Sequence, residues 1–298
     1  MSGTIMTDKD ENKHIADKGS IDKGLVDKAF VETDLADRYV AVVEESSTPL
    51  TLAIDIGGSH LKAAILDSDG RMQGEQVRVE TPAPATPEAT VGALVKLVET
   101  LGKFDRVSIG FPGVVRAGLI FTAPTLHDKH WDGFDLGAAL NRAWKRPIRI
   151  LNDASVQGLG AISGKGLECV ITMGTGLGFA LFADGRLAPH LELSQHPVRK
   201  HKTYNRYVGH AALEEIGKSR WNKRMRKVIR ILEDVVNYDV LYIGGGNARL
   251  IKFSLPDKVK LVPNSAGITG GIRLWDERWG SVFAGAPPFE GPARHKTG

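Results

Sequence analysis

The stretch Leu52-Ala53-Ile54-Asp55-Ile56-Gly57-Gly58-Ser59-His60-Leu61-Lys62-Ala63-Ala64-Ile65-Leu66 decides the architecture. Residues 52–56 read as a buried strand, Gly57 to His60 as a tight turn, and residues 61–66 as the returning strand. Asp67-Ser68-Asp69-Gly70 then turns the chain again. The same texture recurs at residues 169–182, folded around Gly174-Thr175-Gly176-Leu177-Gly178. There the return strand ends in Asp184-Gly185-Arg186, an echo of Asp69-Gly70-Arg71. Two glycine-turned hairpins in two halves predict a duplicated α/β architecture with a central cleft.

Working outward, residues 107–110 and 148–151 read as further strands. Val91, Leu94, Val95 and Val98 give residues 90–101 a helical apolar spacing, and residues 154–162 read as a helix of small residues. A long amphipathic helix runs through Trp221, Met225, Val228, Leu232 and Val235. It leads into the strand at residues 240–243 and the turn Gly244-Gly245-Gly246-Asn247. The 298 residues suffice for two packed domains. We expect a small α/β domain at 49–151, a larger one at 152–284 and a flexible tail at 285–298. Residues 1–48 form a polar, acidic extension with Asp-Lys pairs at five-residue spacing. It holds too few large apolar residues to offset its ordering entropy, and it lacks the two apolar helices of a helix-turn-helix.

The hydrophobic fraction of 42% and charged fraction of 25% are those of an ordinary globular protein. No apolar run approaches the roughly 20 residues that span a bilayer, and the start lacks a signal-peptide pattern. Cys169 is the only cysteine, which excludes an internal disulfide and a cysteine zinc site. A cytoplasmic protein without membrane contact is expected. Before Pro49 there are eleven acidic residues against six Lys and Arg. With a whole-chain charge of +4, the remainder carries about +9, which favours an anionic partner.

Three glycine clusters each follow an apolar strand, where backbone N–H groups can approach a phosphate closely. Neither Gly174 nor Gly244 opens a dinucleotide fingerprint, because the third glycine position is Phe179 or Arg249. A P-loop fails at Leu159 and Gly166. What remains is a phosphate cleft built from two hairpins. At its mouth Asp55 suits a carboxylate that orients hydrated Mg²⁺, and Lys62 suits a partner for phosphate charge. Asn152-Asp153 follows an apolar strand end. On position alone Asp153 reads as a helix N-cap; the alternative is a general base that accepts the proton of an attacking hydroxyl.

Five motifs in order bear on that choice: Asp55-Ile56-Gly57-Gly58-Ser59-His60-Leu61-Lys62, Phe111-Pro112-Gly113-Val114-Val115, Leu151-Asn152-Asp153-Ala154, Gly174-Thr175-Gly176-Leu177-Gly178 and Gly244-Gly245-Gly246. Together they resemble the ROK sugar kinases, most closely the polyphosphate glucokinase branch, over roughly residues 50–274. The resemblance implies the actin-like (ribonuclease H-like) two-domain fold and phosphorylation of a hexose, glucose at O6, by polyphosphate or ATP with Mg²⁺. It implies Asp153 as catalytic base, with Asn152, Glu192 and Glu214 binding sugar hydroxyls. Gly57, Gly58, Ser59, Gly174, Thr175 and Gly176 would line the donor phosphates, and Gly245 and Gly246 would sit near an adenosine. Residues 122–136, with Trp131 and Gly133, look like the family's sugar-contacting loop. A homodimer is expected from the same resemblance.

The chain departs from the family at Glu192-Leu193-Ser194-Gln195-His196. Glu-x-Gly-His is the family pattern, so Ser194 and Gln195 are unusual, and His196 is the candidate substitute. No structural zinc is expected, and no metal-ligand set is assigned. Residues 199–230 hold eleven Lys and Arg against Glu214 and Glu215. That stretch is either the solvated side of a helix or a polyanion track along Arg220, Lys223, Arg224 and Lys227. Nucleic acid is disfavoured, because no aromatic platform is interleaved with the charges. A regulatory or non-catalytic sugar-binding protein is the rival reading.

Overall fold

The structure is a computed structural model that describes residues 48–276. The expected acidic extension, apart from its last residue, and the tail at 285–298 lie outside the described residues.

The first half contains β1 (Thr51–Ile56), β2 (His60–Leu66), β3 (Val77–Glu80), α1 (Pro87–Val98) and β4 (Arg106–Phe111). A small hairpin of β5 (Val115–Arg116) and β6 (Leu119–Ile120), then α2 (Leu136–Trp144) and β7 (Ile148–Asn152), complete it. The second half opens with α3 (Asp153–Leu159), β8 (Leu167–Met173), β9 (Leu177–Ala183) and β10 (Arg186–Leu187). The short strands β11 (Pro197–Arg199) and β12 (Lys202–Thr203) and the helices α4 (Tyr204–Val208) and α5 (His210–Val236) follow. It ends with β13 (Val240–Gly244), β14 (Val259–Leu261), α6 (Ala266–Thr269) and a 3-10 turn at Gly270–Trp275.

The two sheets repeat each other strand for strand. The first has the order β3-β2-β1-β4-β7 and the second β10-β9-β8-β13-β14. In each, the first strand in the chain is antiparallel to its hairpin partner and parallel to the strand on its other side. The two Asp-Gly-Arg steps occupy the same place, after the second strand of each sheet, so the echo in the sequence marks a real duplication.

Residues of β1 are buried on both faces, which is why the strand reads as an almost continuous apolar run. Leu52, Ile54 and Ile56 join Leu94, Leu97, Trp131, Leu136 and Leu140 in one core. Ala53 packs on the other face with Ala64, Leu66 and Ile268. A separate core under β8 and β13 gathers Ile171, Phe179, Trp221, Met225, Val228 and Leu232. Helix α3 packs against β4, β8, β9 and the 3-10 turn, and so bridges the two halves. Its small residues follow from that crowding. A methyl group at Gly158 would meet the Phe182 ring at 2.5 Å, and Gly110 backs onto the Cα of Asp153.

Several boundaries differ from the sequence reading. Helix α1 starts at Pro87, where Thr86 caps the Ala89 N–H and proline fits the first turn, and it ends at Val98. Helix α3 begins at Asp153 and stops at Leu159, short of Ile162. Helix α5 starts eleven residues before Trp221 and is interrupted at Gly217, whose φ of 74° is non-helical. Val235, expected on its apolar face, is 73% exposed; in the last turns Ile229 and the partly buried Val236 join the expected Leu232 on the core side. None of the described helices is long and apolar enough to cross a membrane.

Candidate active site

The C-terminal ends of the parallel strands β1, β4, β7, β8 and β13 open into a cleft of about 820 Å³ lined by both halves. Ligands of open α/β sheets bind at such strand ends. Asp55, Gly57, Gly58, Ser59 and Lys62 line it from the first hairpin, and Gly174, Thr175 and Gly176 from the second. Asn152 and Asp153 line it from the β7–α3 junction, Glu192 from the turn before β11, and Gly245 and Gly246 from the end of β13. The hairpins meet at Gly58, where an added Cβ would lie 3.1 Å from the Thr125 carbonyl and 3.3 Å from Thr175 Oγ1. Gly245 has a φ of 83°, and a side chain there would strike the Met173 backbone at 2.5 Å. Only glycine lets this turn lie against the end of β8.

The helix cap is Asn152, not Asp153. Asn152 Oδ1 accepts from the N–H groups of Ala154 and Ser155 at 3.0 and 3.3 Å. Its Nδ2 donates to the carbonyls of Gly113 at 3.2 Å and Phe111 at 3.5 Å. Both ends of that amide are engaged by backbone groups, although the residue still lines the cleft. Asp153 is left half-buried at the first helical position, with its carboxyl accepting from the Ala154 N–H at 2.8 Å. Burial raises its pKa from 3.8 to about 7; the nearby negative charges of Asp55 and Glu192 push the same way, against the backbone hydrogen bond. Asp55 is itself paired, with Lys62 Nζ at 2.8 Å from Oδ2, across the β1–β2 register.

Glu192 Oε1 accepts a short hydrogen bond from Ser194 Oγ, and Oε2 lies 3.4 Å from His190 Nε2. Two other expected sugar ligands are not among the cleft-lining residues. His196 is exposed, its ring 6.3 Å from that of Tyr204. Glu214 is exposed on α5, 3.3 Å from His210, and it is His210 that lines the cleft. The loop at 122–136 reaches the cleft through Pro124 and Thr125. Trp131 is fully buried, donates to the Ala85 carbonyl at 2.8 Å and packs on Phe111 and Phe134, so it is core.

The basic stretch at 199–230 contributes no cation to the lining. Arg224 is tied to the Tyr207 carbonyl at 2.9 Å and stacks 4.7 Å over its ring. The cleft cations are Lys62, Arg78 and Arg249. The sequence reading missed the last two. Arg78 lies directly across from Lys62 in the β2–β3 register, a placement that required the strand pairing. Gln157 was also missed, although its spacing of four from Asp153 puts both on one helix face.

Residues 51–189 match the family model described as ROK family. A polyphosphate glucokinase from Mycobacterium tuberculosis is 32% identical over 238 residues, which is 73% of this chain and 88% of that protein. The chain belongs to the ROK family. The crystal structure of an inorganic polyphosphate/ATP-glucomannokinase from Arthrobacter sp. strain KM superposes with a TM-score of 0.69 at 30% identity, covering 75% of this chain and 97% of that one. An N-acetylmannosamine kinase from Escherichia coli is 35% identical over 145 residues, 46% of this chain and 48% of that protein. The duplicated sheets are therefore the actin-like, ribonuclease H-like fold of the ROK sugar kinases.

Proposed function

We propose that the protein is a hexose kinase that phosphorylates glucose at O6, drawing on polyphosphate, ATP or both. The observation that carries this reading is Asp153. Its carboxyl stands inside the helix that Asn152 caps, accepts from the Ala154 N–H, lines a two-walled glycine cleft and is raised to about 7, where a general base is effective near neutral pH. Asp153 would take the proton of the attacking hydroxyl while Glu192 holds other hydroxyls of the ring. The backbone N–H groups of the hairpin turns and the cations Lys62, Arg78 and Arg249 would receive the donor phosphates. The polyphosphate and ATP named for the relatives support both donors.

Mg²⁺ fits the carboxylate present. Lys62 engages Oδ2 of Asp55 and leaves Oδ1 to accept from a water of the hydrated ion, which is commonly held by one or two carboxylates plus substrate phosphates. When bound, the ion neutralises donor charge. A second reading, a sugar-binding relative without transfer, draws on the unusual Ser194-Gln195 pair.

A coupled assay crossing glucose, mannose and N-acetylmannosamine with ATP and polyphosphate tests the proposal. Asp153→Asn should lower kcat by about 10²-fold or more while calorimetric glucose binding persists. Binding without turnover in the unmodified protein would favour the second reading.

A further inference from the structure

Glu192 is a cleft carboxylate that lies on neither hairpin nor at the β7–α3 junction. Its own turn supplies two side chains instead. Ser194, almost fully buried, donates from Oγ to Oε1, and His190 Nε2 approaches Oε2 at 3.4 Å. Ser194 lines the cleft beside Glu192, whereas His190 is outside the lining. Nδ1 of His190 is buried with no hydrogen-bond partner among the described residues. A proton on Nε2 gives Glu192 a donor and leaves Nδ1 as a bare lone pair. The opposite tautomer would bury an unpaired N–H and set two acceptors against each other. Gln195 is exposed, and its amide reaches Ser194 Oγ at 3.3 Å and not the carboxylate.

Each oxygen of Glu192 thus has one partner from the protein, and a carboxylate offers about four acceptor positions. Two remain, one per oxygen, which suits a pair of adjacent ring hydroxyls. We propose that His190 and Ser194 are positioning residues that hold Glu192 as the acceptor-sugar ligand, and so do the work that Gln195 and the exposed His196 do not. This rests on the sugar-kinase reading. Fixing the carboxylate before the sugar arrives removes the rotamer ordering that binding would otherwise have to supply. By the usual scale for one immobilised side chain, that corresponds to about 3- to 10-fold in affinity.

The test uses the full chain, with glucose binding by calorimetry and steady-state kinetics for both substrates. His190→Ala should raise the glucose Kd and KM about 10-fold, leaving the donor KM and the melting temperature unchanged. His190→Gln, whose amide still donates, should recover most of that loss, and Ser194→Ala should weaken glucose binding in the same way. In a Glu192→Gln background, His190→Ala should add nothing, because its target is gone. Equal losses for sugar and donor, or full additivity with Glu192→Gln, overturn the proposal. So does unchanged glucose affinity in a stably folded His190→Ala protein, or an unmodified protein that binds no hexose. Absence of transfer with both donors overturns the kinase reading alone, since calorimetry still reports the His190 effect.

Discussion

Replacing Asp153 by Asn should make the protein more stable at neutral and alkaline pH while it removes activity. The folded state holds this carboxyl at about 7 instead of 3.8, so between those values the native protein binds a proton that the unfolded chain has lost. Where the native state binds more protons, stability falls as pH rises. The penalty accumulates from about pH 4, is complete above about pH 7, and corresponds to about 4 kcal/mol for a shift of this size. Because Asp153 keeps part of its surface open to the cleft, water reduces this, and about 2 kcal/mol is the figure we expect. Asn keeps an oxygen to accept from Ala154 and cannot ionise, so it escapes the penalty. Thermal unfolding of both proteins at intervals from pH 5 to 8.5 reads the effect directly. The mutant's advantage should widen up to pH 7, reach several degrees and then stay level. A gap that does not change with pH, or a mutant less stable at pH 8, would show that Asp153 is not held as a raised, electrostatically strained carboxyl.

With Asp153 as the proposed base, turnover should rise with pH along a limb centred near 7, where the carboxyl ionises; Asp55→Asn should move that limb lower by removing a neighbouring negative charge. Reversing Arg78 and Arg249 to Glu should raise the polyphosphate KM about 10-fold and make it less salt-dependent, whereas reversing Arg220, Lys223 and Lys227 should change it less than about 2-fold. Gly158→Ala should cost about 1–3 kcal/mol in denaturant unfolding, because the Phe182 ring stands where the methyl group would go.

The sequence by itself determined the duplication. Strand, glycine turn and returning strand are local patterns, and their recurrence at 52–66 and 169–182 with the Asp-Gly-Arg step needed no tertiary knowledge. Asp55 and the glycine turns stood out for the same reason, each at the end of an apolar strand, whereas Asp153 read by position as a helix cap and only the family resemblance implied a base there. Only the tertiary structure decided which neighbour did which task. Asn152 and Asp153 are adjacent and both suited to cap a helix; the carbonyls of Phe111 and Gly113, about forty residues away, draw Asn152 into that role. Arg78 enters the cleft because β3 pairs with β2, while the much denser run of Lys and Arg on α5 contributes none of those side chains to it. Charge counts along a chain carry no direction, and strand register and helix packing supply it. Trp131 likewise looked like a sugar contact and is core, because the partners that bury it, Ala85 and Phe111, come from elsewhere in the chain.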